Sequence, residues 1–277
     1  MPTAPQPLRA RKLHGPDATS SAQQFAKRTA NAPARALDYR DRDVEAMTPE
    51  HWNAEVDCMQ SLRSHYAHRE DVYVGSELTM YWLEGDNEGW VQPDVFVAFG
   101  PSRDTKRTVW KAWEEGKFAD FVLEVASRGT HRRDLTEKHA LYERLGVTEY
   151  WQHDPTGAYL PPRLLGHRLN KAGTYEPVPL DRRPDGTRRG ESKVLSLHLC
   201  LDSEGCLRLY DPATGKFLLS PREHADASAE KDRAIEQKNR LLAEERRLLA
   251  EERRRHAEER HALLAEIEAL RRHQPKQ

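Results

Sequence analysis

The chain contains little cysteine and no long apolar run, and both absences limit the classes of protein to which it can belong. Cys58, Cys200 and Cys206 are the three cysteines in 277 residues, and they form no Cys-x-x-Cys pair. Unpaired thiols are typical of a reducing compartment, so we expect a cytoplasmic protein. No run of about eighteen apolar residues is present, so no membrane-spanning helix is predicted. The chain also lacks a His-Glu-x-x-His zinc motif and a glycine-rich phosphate loop, which leaves zinc peptidase and nucleotide-hydrolase chemistry without support.

Charged residues are abundant, at 32% of the chain, and their distribution divides it into three regions. Residues 1–40 combine several prolines with an excess of basic residues, so we expect a disordered arm that contacts nucleic acid non-specifically. Residues 41–220 are predicted to form the folded domain, and they carry a net negative charge. An acidic domain is unusual for a protein that grips duplex DNA. Residues 221–277 form the third region.

Two acidic residues lie within segments that otherwise have the composition of buried strands. Valine, phenylalanine and leucine dominate Val95–Phe99 and Phe121–Val125. Glu124 interrupts the second segment, and Asp94, preceded by Pro93, opens the first. Two carboxylates on neighbouring buried strands repel each other unless a positive charge lies between them. The sequence therefore predicts a site for a hard divalent cation bound through oxygen.

A lysine follows these acids on a predicted helix. Asp134, Lys138 and Tyr142 are spaced four residues apart, so they lie along one helix face whose later part is apolar. The alternative is that Glu124 faces solvent and that Asp134 and Lys138 form an ordinary surface pair contributing about 0.3 kcal/mol. The order of elements favours the site, because the acids fall on the second and third strands and the lysine on the next helix.

That order, helix, three strands, helix, strand, resembles the PD-(D/E)XK nuclease superfamily, and in particular its Uma-two branch of restriction endonucleases. The resemblance covers about residues 48–220 and is carried by VQPDVFVAFG, by the stretch from KAWEEGKF to EYWQHDP, and by LRLYDPATGKF. It implies an α/β restriction-endonuclease-like core with added β-hairpins. It also implies hydrolysis of DNA phosphodiester bonds with Mg²⁺ or Mn²⁺ as cofactor, with Asp94 and Glu124 as the metal-binding acids.

The chain departs from the superfamily pattern at one position. In the superfamily the lysine follows the glutamate by two residues, where this sequence has Ala126. In the Uma-two branch the lysine comes from the helix, and Lys138 in RRDLTEKHALY is the matching residue. If Lys138 does not take that role, the chain is a catalytically inactive nuclease fold that binds a partner through its carboxy-terminal helix. This adaptor is the alternative function.

Further residues close to these motifs are predicted to assist. Glu77, Asp134 and Ser127 are predicted to support the metal ligands and the lysine. Glu77 shares strand parity with Tyr73 and Tyr81, however, and fits a solvated edge equally well. Asp134 also fits the positive end of its helix, and Thr130 fits the cap position. The residues predicted to contact phosphate are Arg128, Arg132 and Arg133, together with His131.

The secondary structure around the site follows from local patterns. A helix is predicted from the Thr48 cap, with Trp52, Val56, Met59 and Leu62 facing inward. Strands are predicted at residues 72–82, 91–99, 119–126 and 148–153. Trp110 is predicted to cover the core from a loop. Turn-forming residues in TGAY, KAGTY and DPATGK predict β-hairpins after residue 155.

The carboxy-terminal region repeats a seven-residue unit. RLLAEER at 240–246 recurs at 247–253 and, in altered form, as RRHAEER at 254–260, which predicts a long helix. The heptad positions are Leu242, Leu249, His256, Leu263 and Leu270. The residues three and four positions after each of them are mostly charged, so the apolar stripe is narrow. A lone helix held by i, i+4 pairs remains open, and we expect a homodimer formed through this helix.

Overall fold

The computed structural model describes residue 39, residues 47–184 and residues 187–272. The predicted disordered arm therefore lies, except for Tyr39, outside the described residues. The described part of Met1–Lys216 forms one compact unit, and Phe217–Gln277 belongs to a second. Both are described separately below.

The first helix, α1 (Pro49–His65), begins where the sequence predicts, because the side chain of Thr48 accepts the backbone N–H of His51 at 3.3 Å. The inward face differs from the predicted one. Trp52 is 52% exposed. On a helix, His51 aligns with Leu62 eleven residues later, whereas Trp52 lies nearly a quarter turn away. The buried residues of α1 are His51, Glu55, Cys58, Met59, Ser61 and Leu62.

The central sheet has six strands and holds the site. Its order is β1-β4-β6-β7-β8-β9, in which only β6 and β7 run parallel. A helical segment connects those two strands, as a parallel pair requires. Within the central sheet, the elements follow the expected order of a helix, three strands, a helix and a strand. The mixed α/β fold is confirmed. Its strands are β1 (Val72–Gly75), β4 (Val95–Phe99), β6 (Phe121–Val125), β7 (Glu149–His153), β8 (Leu164–Leu169) and β9 (Tyr175–Pro177).

Two of the predicted strands are interrupted. The segment 72–82 breaks after β1, where Glu77 has a φ of +52°, a left-handed conformation outside the β region. The segment 91–99 breaks at Pro93, whose carbonyl accepts the N–H of Glu77 at 3.1 Å. The pieces left over, together with a strand at Trp110, form a three-stranded sheet. Trp110 is fully buried, so it covers the core as predicted, but it lies on a strand and not in a loop. The three-stranded sheet contains β2 (Met80–Tyr81), β3 (Trp90–Val91) and β5 (Trp110–Lys111), and α2 (Ala112–Glu115) follows β5.

A helical segment with a wide turn joins β6 to β7. It consists of α3 (His131–Arg133), a π-helical turn π1 (Asp134–Lys138) and α4 (His139–Leu145). The π turn holds one more residue per turn than an α-helix, and such turns are frequent at functional sites. Gly146 ends α4 in the left-handed conformation that glycine adopts without strain.

The remaining strands form a five-stranded sheet, the third of the fold, that meets the six-stranded sheet at Trp151. A Cβ atom on Gly166 of β8 or on Gly190 of β11 would lie 2.6 Å from the Trp151 ring, so both positions require glycine. Turns at KAGTY and DPATGK form hairpins, as predicted. The five-stranded sheet contains β10 (Leu180–Arg182), β11 (Arg188–Ser192), β12 (Leu197–Leu201), β13 (Leu207–Asp211) and β14 (Lys216–Phe217).

The second unit contains α5 (Pro221–Arg272), a helix of 52 residues. Along the part of it that the structure describes in full, most side chains are exposed, including several leucines. Among the described residues, no helix is both long and apolar enough to cross a membrane.

Candidate active site

Glu124 is the centre of the site. It lies on β6 with 1% of its surface exposed, and both carboxylate oxygens accept hydrogen bonds. Lys138 Nζ donates to Oε2 at 2.7 Å, and the hydroxyl of Tyr142 donates to Oε1 at 2.6 Å. The strand therefore supplies the acid, and the following helix supplies both of its partners.

The π turn brings the lysine to this position. Lys138 is its last residue, and Asp134, its first, is buried with Oδ1 3.1 Å from Lys138 Nζ. The hydroxyl of Tyr150 donates to the Asp134 carbonyl at 2.8 Å, which ties the start of the turn to β7. The predicted shared face of Asp134, Lys138 and Tyr142 is thus observed, with all three directed at the sheet.

Asp94 stands beside Glu124 at the end of the sheet. Since Val95 pairs with Leu123, the residue before β4 is level with Glu124. Asp94 Oδ2 accepts the N–H of Val125 at 2.5 Å and lies 3.2 Å from His51 Nε2 on α1. Burial alone would raise the pKa of Asp94, but the His51 hydrogen bond and the Lys138 charge outweigh it and hold that pKa below its usual value.

Lys138 and Glu124 are electrostatically linked. Burial alone would lower the pKa of Lys138, but the carboxylates of Glu124 and Asp134 outweigh burial and raise it. Burial raises the pKa of Glu124 well above its usual value, and the repulsion from Asp94 and Asp134 adds to the effect while Lys138 opposes it. The cluster therefore contains more negative than positive groups.

Two further acids, Glu55 of α1 and Glu77, adjoin Asp94. Glu55 is 1% exposed, and its Oε2 atom is buried without a hydrogen-bond partner, as is Oε2 of Glu77. Burial and the Asp94 charge raise the pKa of Glu55 to about 7. Burial, Asp94 and Glu55 raise the pKa of Glu77 to about 8. Buried carboxylate oxygens that repel one another and lack donors are suited to a cation.

The donor set fits a hard divalent ion. The orphaned oxygens of Glu55 and Glu77 and the carboxylates of Asp94 and Glu124 are the ligand type that Mg²⁺ prefers. Within the described residues, no group of three or more His, Cys, Asp or Glu side chains is arranged to hold a metal ion. Mg²⁺ commonly binds through only one or two protein carboxylates, together with water and substrate phosphate.

Comparison with known proteins assigns the chain to a family. The model of the Uma2 family, described as "Putative restriction endonuclease", matches residues 22–199, which is more than half of the chain. The chain belongs to the Uma2 family. A crystal structure of "a putative nuclease belonging to DUF820" from Anabaena variabilis ATCC 29413 matches with a TM-score of 0.38 and 13% identity, over 59% of this chain and 88% of that chain. No curated protein matches.

The residues predicted to assist this Uma2 site are placed in different ways. Asp134 contacts Lys138 directly, and Glu77 lies at the strand break beside Asp94 rather than on a solvated edge. Ser127 reaches neither acid: its hydroxyl bonds to Thr130 Oγ1 at 2.9 Å. Thr130 does not cap its helix with its side chain, because Oγ1 is occupied by the N–H of Ser127.

The predicted phosphate contacts of the Uma2 chain lie on the surface next to the site. Arg128, Arg132 and Arg133 are exposed, and Arg133 is 3.4 Å from Glu137 in a solvated pair. His131 Nδ1 donates to the Ser127 carbonyl at 2.9 Å, and the ring stacks on Tyr159. These side chains are available to a ligand at the start of the helical segment.

Sequence reasoning missed two residues of the site, His51 and Glu55. Both lie on α1. The prediction placed Trp52 on the inward face of this helix, which turned His51 and Glu55 away from the core. A signal was present, because His51, Glu55, Met59 and Leu62 follow helical spacing and place two polar residues on an apolar stripe. Such an interruption is the same signal that identified Glu124.

Proposed function

We propose that the chain is a divalent-metal-dependent endonuclease that hydrolyses phosphodiester bonds of DNA at Asp94, Glu124 and Lys138. The observation that carries the proposal is the ammonium group of Lys138, half-buried and 2.7 Å from Glu124, where the strand itself has Ala126. The Uma2 family description supports the same activity. DNA as substrate, the metal and the residue roles are parts of this proposal.

Asp94 and Glu124 would hold Mg²⁺ or Mn²⁺, and the carboxylates of Glu55 and Glu77 would add negative charge beside Asp94. When bound, the ion would supply an activated water and neutralise charge on the scissile phosphate. Asp94 is suited to this role because its lowered pKa keeps it ionised. Tyr142 holds the Glu124 carboxylate in one orientation by donating to Oε1.

Lys138 acts as a charged donor and not as a base. Its raised pKa keeps the ammonium protonated throughout the physiological range, so it has no free lone pair to accept a proton. A half-buried ammonium with three donors is suited to hold a phosphate oxygen or the attacking water. Asp134 fixes its position from one helical turn away.

The substrate backbone would approach over the start of the helical segment. Arg128, Arg132 and Arg133 supply exposed positive charge there, which offsets the negative charge of the folded unit near the site. The cytoplasmic location and the homodimer remain predictions.

Cleavage of supercoiled plasmid tests the proposal. The wild type should nick the plasmid only with Mg²⁺ or Mn²⁺, and Asp94→Asn and Lys138→Ala should each lose nicking by about 100-fold or more. Lys171→Ala, on an exposed turn, is the matched lysine control and should cut like the wild type. Equal cleavage by all four proteins would overturn the site assignment.

Calorimetry separates the nuclease from the adaptor. Under the proposal, Mg²⁺ binds the wild type and binding is lost in Glu124→Gln. Wild type that binds no Mg²⁺ or Mn²⁺ and cuts neither DNA nor RNA would instead establish the catalytically inactive fold. Unchanged Mg²⁺ binding in Glu124→Gln would remove Glu124 from the ligand set.

A further inference from the structure

Helix α5 exposes an apolar stripe with charge at its centre. Leu241 and Leu242 are 60% and 41% exposed, and Leu248 and Leu249 repeat them one heptad later. Glu245 follows Leu241 by four residues and Leu242 by three, so it lies between the leucines on the same face. The same position recurs every seven residues, and we call this series the seam.

The seam changes sign along the helix. Its two amino-terminal members are lysines, and its four later members are glutamates, all of them exposed. On the opposite face the charges already pair within the helix, as Arg247 does with Glu251 at 3.5 Å and Arg254 with Glu258 at 3.8 Å. The members of the seam are Lys231, Lys238, Glu245, Glu252, Glu259 and Glu266.

We propose that α5 pairs with α5 of a second copy of the chain in antiparallel orientation. A parallel pair would place every seam residue opposite its own copy, giving lysine against lysine and glutamate against glutamate. An antiparallel pair places Lys231 opposite Glu266 and Lys238 opposite Glu259, twice in each dimer. Only Glu245 and Glu252, near the two-fold axis, would remain next to like charge.

The charge pattern also argues for a second copy as the occupant. Both halves of the seam are needed for the match, and one helix supplies both, so the surface is complementary to itself under a two-fold rotation. A helix of 52 residues is about 78 Å long, and the pairing would cover its exposed leucines along most of that length. Near the two-fold axis, Glu252 also has His256 of its own helix as a neighbour, at 3.9 Å.

Charge reversal in the full-length protein tests the orientation, with dimer dissociation followed by analytical ultracentrifugation. Lys231→Glu with Lys238→Glu should weaken an antiparallel dimer by about tenfold or more, because four attractive pairs become repulsive. Adding Glu259→Lys and Glu266→Lys to the same chain should restore it. A parallel dimer would respond to neither set of substitutions, because each one replaces a pair of like charges with another pair of like charges.

Matched controls keep the test specific. Arg247→Glu with Arg254→Glu reverses equal charge on the outer face, and it should change the dissociation constant by less than about twofold. Circular dichroism checks that every variant keeps the helical content of the wild type. A wild type that is monomeric at all concentrations, or a double reversal without effect, would overturn the proposal.

Disulfide trapping gives an independent measure of orientation. In a Cys206→Ser background, which removes the exposed native thiol, Lys231→Cys and Glu266→Cys chains are prepared separately. Air oxidation should link the two chains when they are mixed and should link neither chain to itself. Self-linking of the Lys231→Cys chain would establish the parallel arrangement instead.

Discussion

The site and α5 use the same residue types in opposite surroundings. Lys138 and Glu124 are 2.7 Å apart, with side chains 12% and 1% exposed. Arg247 and Glu251 are 3.5 Å apart, with side chains 77% and 57% exposed. In the site, each charge depends on its partners because water cannot replace them, whereas on α5 water solvates either charge alone. Burial rather than the number of ion pairs therefore decides which pair matters.

The largest expected effect is the loss of Lys138. Lys138→Met leaves Glu124 and Asp134 buried without a counter-charge, so the free energy of unfolding should fall by about 3–5 kcal/mol at pH 8. Urea unfolding followed by tryptophan fluorescence measures this change. All six tryptophans lie before residue 217, so the signal reports on the unit that contains the site and not on α5. The loss should shrink at pH 5, where the carboxyls accept protons. A change below about 1 kcal/mol at pH 8 would show that water reaches the pair.

The second largest expected effect is a dependence of stability on pH. The folded-state pKa values of Glu55 and Glu77, about 7 and about 8, lie above those in the unfolded chain. The folded state therefore binds more protons, and these two groups should reduce stability as pH rises from about 4.5 to 8. Thermal unfolding in EDTA should show this loss in the wild type and a smaller one in Glu55→Gln. Parallel pH curves for the two proteins would contradict the raised pKa of Glu55.

A smaller effect is expected at Tyr142. Tyr142→Phe removes the hydroxyl that donates to Glu124 Oε1 and leaves a buried acceptor without that donor, at a cost of about 1–3 kcal/mol. The same urea titration measures it. Tyr159→Phe is the control, because that hydroxyl belongs to a partly exposed ring stacked on His131. Equal stability of the two variants would argue against a role for the Glu124 contact.

The smallest effect is expected on α5. Arg254→Gln removes one member of a solvated i, i+4 pair. The free energy that favours the helix should decrease by less than about 0.5 kcal/mol. Thermal circular dichroism at low and high salt measures it, and the difference should vanish in high salt. A loss comparable to that of Lys138→Met would abolish the contrast between the two regions.

Much of the site was accessible from the sequence because buried charge is conspicuous within apolar patterns. Asp94 and Glu124 interrupt strand segments, and the four-residue spacing of Asp134, Lys138 and Tyr142 fixes a helix face. The structure brings these residues together in the expected sheet. Their roles in catalysis are still predictions.

Other features depend on contacts between distant parts of the chain. The left-handed Glu77 donates its N–H to the carbonyl of Pro93, sixteen residues away, and the neighbouring Gly75 and Ser76 do not by themselves identify that contact. The π turn has no sequence signature of its own. The inward face of α1 shifts from Trp52 to His51 because the helix docks where Glu55 and His51 meet Asp94, a tertiary requirement that outweighs the apolar pattern.

Because Lys138 reaches Glu124 from a helix rather than from the strand itself, the site is whole only while His131–Leu145 rests on the sheet. Segments of a protein can open locally at a free energy below that of global unfolding. Such an opening would separate the ammonium group from both acids while the sheet stayed intact. Under the proposed function, a copy in which this segment is open would keep both acids on the sheet and lack the charged donor.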